Sequence, residues 1–292
     1  MPASRYHIEH TTWYAYAAPV AQSWQLARLT PRSLPWQRLL THSLYIDPPP
    51  DERHETIDCF GNTVEHFALH GAHRRLRVRM QCTVEVGERP SCDADDSPWE
   101  EVRDAVRLAT PPSDLDAARM SEPTPLVPLS EAARDYAAAH FATGRGWLEA
   151  VDSLMRAIHV DFEFDPDATT VSTSVDEVLQ HRRGVCQDFA HLMLACLRAH
   201  GLPARYVSGY LLTDPPPGRP RLMGVDASHA WVAAYAPQFG WVEFDPTNDQ
   251  LADARYITLA WGADFADVVP LRGVILGGGE QLLDVAVSVV PV

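Results

Sequence analysis

The chain has 292 residues, enough for one large domain or two of ordinary size, and 46% of them are hydrophobic, as in a folded globular protein. Its formal net charge of −15 excludes a nucleic-acid binder built on a basic surface. No apolar run approaches the roughly 18–20 residues of a membrane helix, and the first ten residues lack a charged-then-apolar leader pattern, so no membrane partner and a cytoplasmic location are expected.

Residues 5–86 read as β structure. Tyr6-His7-Ile8-Glu9-His10 and Trp13-Tyr14-Ala15-Tyr16 alternate in polarity, and residues 39–46 form another candidate strand, stopped by Asp47-Pro48-Pro49-Pro50. A Gly61-Asn62 turn leads into a strand over 64–69, and 75–86 alternates again. The longest basic cluster, residues 73–79, belongs to that strand and reads as its wet face. Short strands with turns between them predict a sandwich-like β domain over 1–86 with its own core. Residues 87–129 are acidic and punctuated by proline, which predicts a surface connection with one short helix over 99–108.

From Ser130 the period becomes helical. Ser130 can cap a helix running to about 141. A second helix places Leu148, Val151, Leu154, Met155 and Ile158 on one face, and Ser174-Val175-Asp176-Glu177 is a capping-box pattern that opens a third. Asp214-Pro215-Pro216-Pro217-Gly218 is a turn or exposed loop. The segment 268–292 reads as strands around Gly277-Gly278-Gly279, completing one of the sheets. The chain thus divides into a β domain (1–86), a connection (87–129), a core (130–250) and closing strands (251–292).

The five cysteines (Cys59, Cys82, Cys92, Cys186, Cys196) are odd in number, widely spaced and without a C-x-x-C pair, which argues against a disulfide framework or a thiolate zinc site. His66, His70 and His73 occupy a strand and turn whose spacing does not converge on one face. No dense loop of oxygen ligands marks a calcium site. No metal and no cofactor are expected.

The chemistry concentrates in two segments. Phe189, Leu192, Met193, Cys196 and Leu197 fall on one helical face, ending at His200-Gly201, so Cys186 sits in the first turn of that helix. Unpaired N–H groups and the positive end of the helix dipole favour a thiolate there, and the same N–H groups can donate to an oxyanion. Cys196, on the apolar face, reads as an inert thiol. In the second segment, 228–235 and 241–245 flank a Pro237-Gln238-Phe239-Gly240 turn and form a hairpin. His229 and Asp245 are placed symmetrically about position 237, so they lie opposite or diagonal across it, within side-chain reach. A carboxylate beside an imidazole fixes its tautomer and stabilises the imidazolium. Asp188, Tyr210 and Trp231 are candidates to line a substrate cleft. His191 is either at that cleft or on a solvated helix face.

Gly184-Val185-Cys186-Gln187-Asp188-Phe189-Ala190-His191, Gly201 to Tyr210, Ser228-His229-Ala230-Trp231-Val232, Gly240-Trp241 and Asp245-Pro246-Thr247-Asn248 resemble the transglutaminase-like core. Ile8-Glu9-His10-Thr11-Thr12, Leu29-Thr30-Pro31-Arg32 and Phe60-Gly61-Asn62 are similar to the β region that precedes this core in bacterial members. The resemblance implies an α+β fold, with helices packed on an antiparallel sheet in a papain-like core behind the β-sandwich-like domain. It also implies a thiol mechanism on peptide or protein amides: Cys186 attacks, His229 carries the proton, Asp245 orients His229. Water as acceptor gives hydrolysis and an amine gives a crosslink. Hydrolysis is favoured because water is always present and no amine pocket is legible; the chain itself carries no lysine. A non-catalytic scaffold is the competing class, and the presence of all three residue types favours an enzyme.

Overall fold

The computed structural model describes residues 3–92, 94–108, 112–166, 173–213 and 228–292. The predicted loop at 214–218 lies outside them.

Five strands open the chain: β1 (Ser4–Ala27), β2 (Gln37–Asp47), β3 (Glu52–Ile57), β4 (Thr63–Leu69) and β5 (His73–Val86). Alternation along β5 buries every second side chain from Leu76 to Val86, as a half-exposed strand should. The long β1 changes neighbours midway. Its first part, through Ala15, pairs with β5, and its last part, from Ser23, pairs with β4. The β5 ladder is broken between Ala15 and Val20, a stretch that contains Pro19, which has no N–H for a ladder. Two C-terminal strands, β13 (Leu271–Gly277) and β14 (Gln281–Pro291), continue the same sheet along the second and first parts of β1 respectively.

Helices α1 (Trp99–Arg107), α2 (Pro112–Ala118), α3 (Glu131–Ala137), α4 (Trp147–Asp161), α5 (Val175–His181) and α6 (Cys186–Ala199) follow, with a short parallel pair β6 (Glu163–Phe164) and β7 (Arg183–Gly184). Ser130 caps α3 by accepting from the Ala133 N–H, and Ser174 with Glu177 closes the capping box of α5. Helix α3 stops at Ala137, a turn earlier than its sequence pattern suggests. The core sheet is antiparallel in the order β11-β10-β9-β8-β12, made of β8 (Ala204–Leu211), β9 (Ser228–Ala236), β10 (Gly240–Asp245), β11 (Gln250–Leu251) and β12 (Tyr256–Gly262). Helix α6 is buried from Asp188 to Ala199 between this sheet and helices α3, α4 and α5. The fold is the α+β arrangement expected, helices on an antiparallel sheet behind a strand-rich N-terminal region.

Three segments depart from the sequence-based expectations. The 87–129 connection is not merely superficial. Trp99, Val102 and Val127 are buried in the helical core, where Trp99 meets Phe141 edge-on with ring centres 5.5 Å apart. The core extends past residue 250, since β12 joins its sheet, while β13 and β14 complete one sheet as expected of 268–292, the N-terminal one. The core of the β region is also shared, since Tyr210, Ile257 and Leu259 of the core sheet are buried within it. Polar contacts fasten that junction. The Gln37 amide donates to the Thr258 carbonyl at 2.7 Å and accepts the Thr258 N–H at 2.8 Å. Asn62 donates to the Trp261 carbonyl and accepts its N–H, while Arg32 lies over the Trp261 ring at 3.6 Å. The resemblance motifs of the N-terminal region are therefore residues of this joint.

Candidate active site

Helix α6 begins on Cys186. Val185, its N-cap, has no side-chain acceptor, so the first-turn N–H groups carry no side-chain cap. Asp188 reaches back to accept the Val185 N–H at 2.8 Å. A β-carbon at Gly184 would come within 2.8 Å of that carboxylate, so the residue two before the cysteine must be small. Cys186 is half-buried and faces the hairpin of β9 and β10.

The hairpin register pairs Phe244 with Val232 and Gly240 with Ala236, which sets Asp245 opposite Trp231 and diagonal to His229. His229 Nε2 and Asp245 Oδ2 are 2.7 Å apart, and Cys186 hydrogen-bonds the same imidazole, leaving Nδ1 as the nitrogen that serves the sulfur. Asp245 is fully buried. Its Oδ1 accepts from the N–H groups of Thr247 and Asn248, and its Oδ2 also accepts from the Asn248 amide and the Tyr256 hydroxyl, both at 2.6 Å. Burial alone would raise the Asp245 carboxyl, but these hydrogen bonds and the imidazolium charge outweigh it and hold it low. Burial alone would depress His229. Its hydrogen bonds to Asp245 and Cys186, with their negative charge, outweigh that and push it from 6.5 up to about 10. The charged imidazole is thus the stable form at neutral pH.

Behind this row stands a second layer. The Trp231 indole lies beside the His229 ring, centres 6.0 Å apart, and donates to Glu243 at 3.1 Å. Glu243 is buried and paired with Arg89 at 3.0 Å, from the 87–129 connection. Gly209, opposite His229 on β8, leaves the space: a β-carbon there would sit 2.6 Å from Trp231 Cη2.

The row opens on a cleft of about 260 Å³ between the core and the N-terminal sheet. His10, Thr12 and Tyr14 of β1 and Leu283 and Val285 of β14 form its far wall. Tyr206 and Gln187 flank Cys186, and among the described residues no carboxylate, lysine or arginine lines it.

The structure brings Cys186, His229 and Asp245 together. The three candidate cleft residues lie elsewhere. Trp231 and Tyr210 are fully buried, and Asp188 nearly so. They position rather than line: Asp188 at the helix start, Trp231 behind His229, and Tyr210 beneath His10, whose Nδ1 is 2.8 Å from its hydroxyl. His191 is neither at the cleft nor solvated. It is buried, accepts the Phe265 N–H at 3.2 Å, and burial depresses it to about 4. Cys196 is wholly buried, and burial pushes its thiol upward. Tyr256 and Arg89 were missed by sequence reasoning. Both reach the site from segments with no local motif.

A helix-borne thiol, an imidazole and a buried carboxylate thus meet beside an antiparallel sheet. The chain belongs to the transglutaminase-like superfamily: the model of that superfamily matches residues 134–246, and that of the bacterial transglutaminase-like N-terminal region matches residues 6–85. It is 43% identical over 292 residues to the uncharacterized Mycobacterium tuberculosis protein Rv2569c, covering 98% of this chain and 93% of that one. It is 37% identical over 105 residues to a Pseudomonas aeruginosa protein-glutamine gamma-glutamyltransferase, covering 35% of this chain and 16% of that protein. The crystal structure of a candidate cysteine protease from Cytophaga hutchinsonii shares the fold with a TM-score of 0.78 at 21% identity, covering 100% of this chain and 91% of that one.

Proposed function

We propose that this protein is a thiol-dependent amide-bond enzyme acting on peptide or protein amides, with Cys186, His229 and Asp245 as its catalytic triad and water as its principal acceptor. The observation that carries this reading is the hydrogen-bonded row Cys186–His229–Asp245 at the mouth of a cleft between the core and the N-terminal sheet. The Cys186 thiolate attacks the amide carbonyl, and the developing oxyanion meets the uncapped N–H groups of the first turn of α6. His229 passes its Nδ1 proton to the leaving amine, the C–N bond breaks and a thioester remains. Water then attacks the thioester as His229 takes its proton, releasing the carboxylic acid and Cys186. Asp245 holds the imidazole in place throughout and stabilises its charged form in the steps where it carries the proton.

A second reading, acyl transfer to an amine, is favoured by the similarity to the Pseudomonas aeruginosa protein-glutamine gamma-glutamyltransferase. One experiment tests both. The protein is incubated with a peptide library, with and without a primary amine, and the adduct on Cys186 and the released products are read by mass spectrometry. A thioester on Cys186 that resolves to free acid supports hydrolysis, and an amide product formed with the amine supports transfer. Turnover retained in Cys186→Ala would refute the thiol mechanism.

A further inference from the structure

On the face of the core sheet that carries Trp231 and Asp245, but toward its other end, lies a second cavity of about 490 Å³. Along β9 it is centred near Tyr235, six residues and about 20 Å from His229. Its base is Arg205 of β8, a residue only 6% exposed. The Arg205 guanidinium lies 3.5 Å from the centre of the Trp261 ring and 4.1 Å from that of Trp241. At these distances the two indoles cover the faces of the planar cation. Ring faces attract a cation but leave its N–H donors, which lie in its own plane, without acceptors. Those donors find none among the described residues: Nε is buried and unpartnered, and the remaining edge is turned to the cavity that Arg205 lines. Glu243 attracts Arg205 through space but makes no hydrogen bond to it, its Oε2 being held by Arg89 and the Trp231 indole.

A second cation, Arg119, stands at the cavity rim, with the exposed Asp116 beside it. Phe60 and Tyr235 complete apolar walls. Burial, helped by the nearby Arg32 cation, outweighs the attraction of Glu243 and depresses Arg205 to about 9. A guanidinium edge framed by aromatic rings matches a planar carboxylate in both hydrogen-bonding pattern and charge. We infer that this cavity is a carboxylate-binding site, distinct from the Cys186 cleft, for a carboxylic acid carried on an apolar or aromatic body. The acid belongs either to a free small molecule or to the C-terminus of a peptide.

Isothermal titration calorimetry with phenylacetate, its neutral isostere phenylacetamide, and Gly-Gly-Phe with a free or an amidated C-terminus tests this on the full chain. Each acid is expected to bind at least about tenfold tighter than its amide, since the amide leaves the buried donors unmatched. Tighter binding of the peptide acid assigns the site to a chain terminus, and tighter binding of phenylacetate assigns it to a free acid. Arg119→Ala, an exposed change, is expected to weaken the acids several-fold; Arg205→Met is expected to abolish the preference for acid over amide. Cys186→Ala is expected to bind like the wild type, which keeps the result independent of the proposed catalysis. Equal binding of acid and amide, no binding of either acid, or an acid preference untouched in both arginine variants would overturn the site. If Arg205→Met does not fold, the acid–amide ratio in the wild type and in Arg119→Ala decides.

Discussion

Replacing Asp245 by asparagine removes one charge and almost no volume, which isolates its electrostatic work on His229. The rise of His229 from 6.5 to about 10 corresponds to about 5 kcal/mol of preference for the imidazolium. Asp245 is the stronger of the two groups that raise it, so at least about half of this, or roughly two pH units, should go with the carboxylate. Asparagine either puts an N–H donor where Oδ2 now faces Nε2, the Tyr256 hydroxyl and the Asn248 amide, or turns it toward the Thr247 and Asn248 N–H groups, and either outcome disturbs the hydrogen bonds that fix the imidazole. Turnover should fall roughly 10³–10⁴-fold, as for a lost orienting carboxylate in other triads. The direct assay is an NMR titration of the His229 ring in both proteins, which needs no substrate. A His229 that still titrates near 10 in Asp245→Asn would refute the reasoning. The linkage has a definite sign. Because the folded-state value is raised, His229 stabilises the protein fully below about pH 6.5, and this contribution is lost as pH rises toward about 10. The melting-temperature gap between wild type and Asp245→Asn should therefore narrow over that interval.

Other perturbations test the supporting structure. Arg89→Met strands the buried Glu243 carboxylate and should cost about 3–5 kcal/mol in a denaturant melt, while a near-neutral result would mean that the pair does not hold the Trp231 layer. Removing residues 268–292 strips β13 and β14 from β1 and exposes Ile8 and Val20, so the truncated chain should melt at least about 10 °C lower or fail to fold, and an unchanged melt would show that these strands are dispensable. Leu283→Asp, at an exposed cleft-wall position, should leave the melt unchanged but lower kcat/KM on uncharged acyl donors about tenfold; equal losses on charged and uncharged donors would argue against an apolar subsite.

The parts of the site that were legible in the sequence are those encoded within a few residues. The helix start at Cys186 follows from the apolar face behind it, and the meeting of His229 with Asp245 follows from hairpin geometry, which needs only the turn at 237–240. Strand alternation also shows that residues 229 and 231 share a sheet face. It does not show what covers that face, and the burial of Trp231 depends on Glu243, Tyr256 and the absent side chain of Gly209. Tyr210 and His191 were misplaced for the same reason: each is covered by a segment more than 70 residues away, His10 in one case and Phe265 in the other. The far wall of the cleft was illegible because it is made by strands whose local patterns say only that they are strands.

The pairing of Tyr6–Tyr16 with Gln281–Pro291 has a consequence for the order of events in folding. These partners are separated by about 265–285 residues of chain, so the loop closed by that ladder is nearly the whole molecule, and it cannot form early. During synthesis the helix bearing Cys186 and the hairpin bearing His229 emerge well before β14, whose Leu283 and Val285 finish the cleft. The thiol and its base can therefore meet while the groove that would hold a substrate chain is still missing one side. Completion of the cleft wall therefore waits on the last strand, so the surface beside the thiol is finished only when the whole polypeptide has been made.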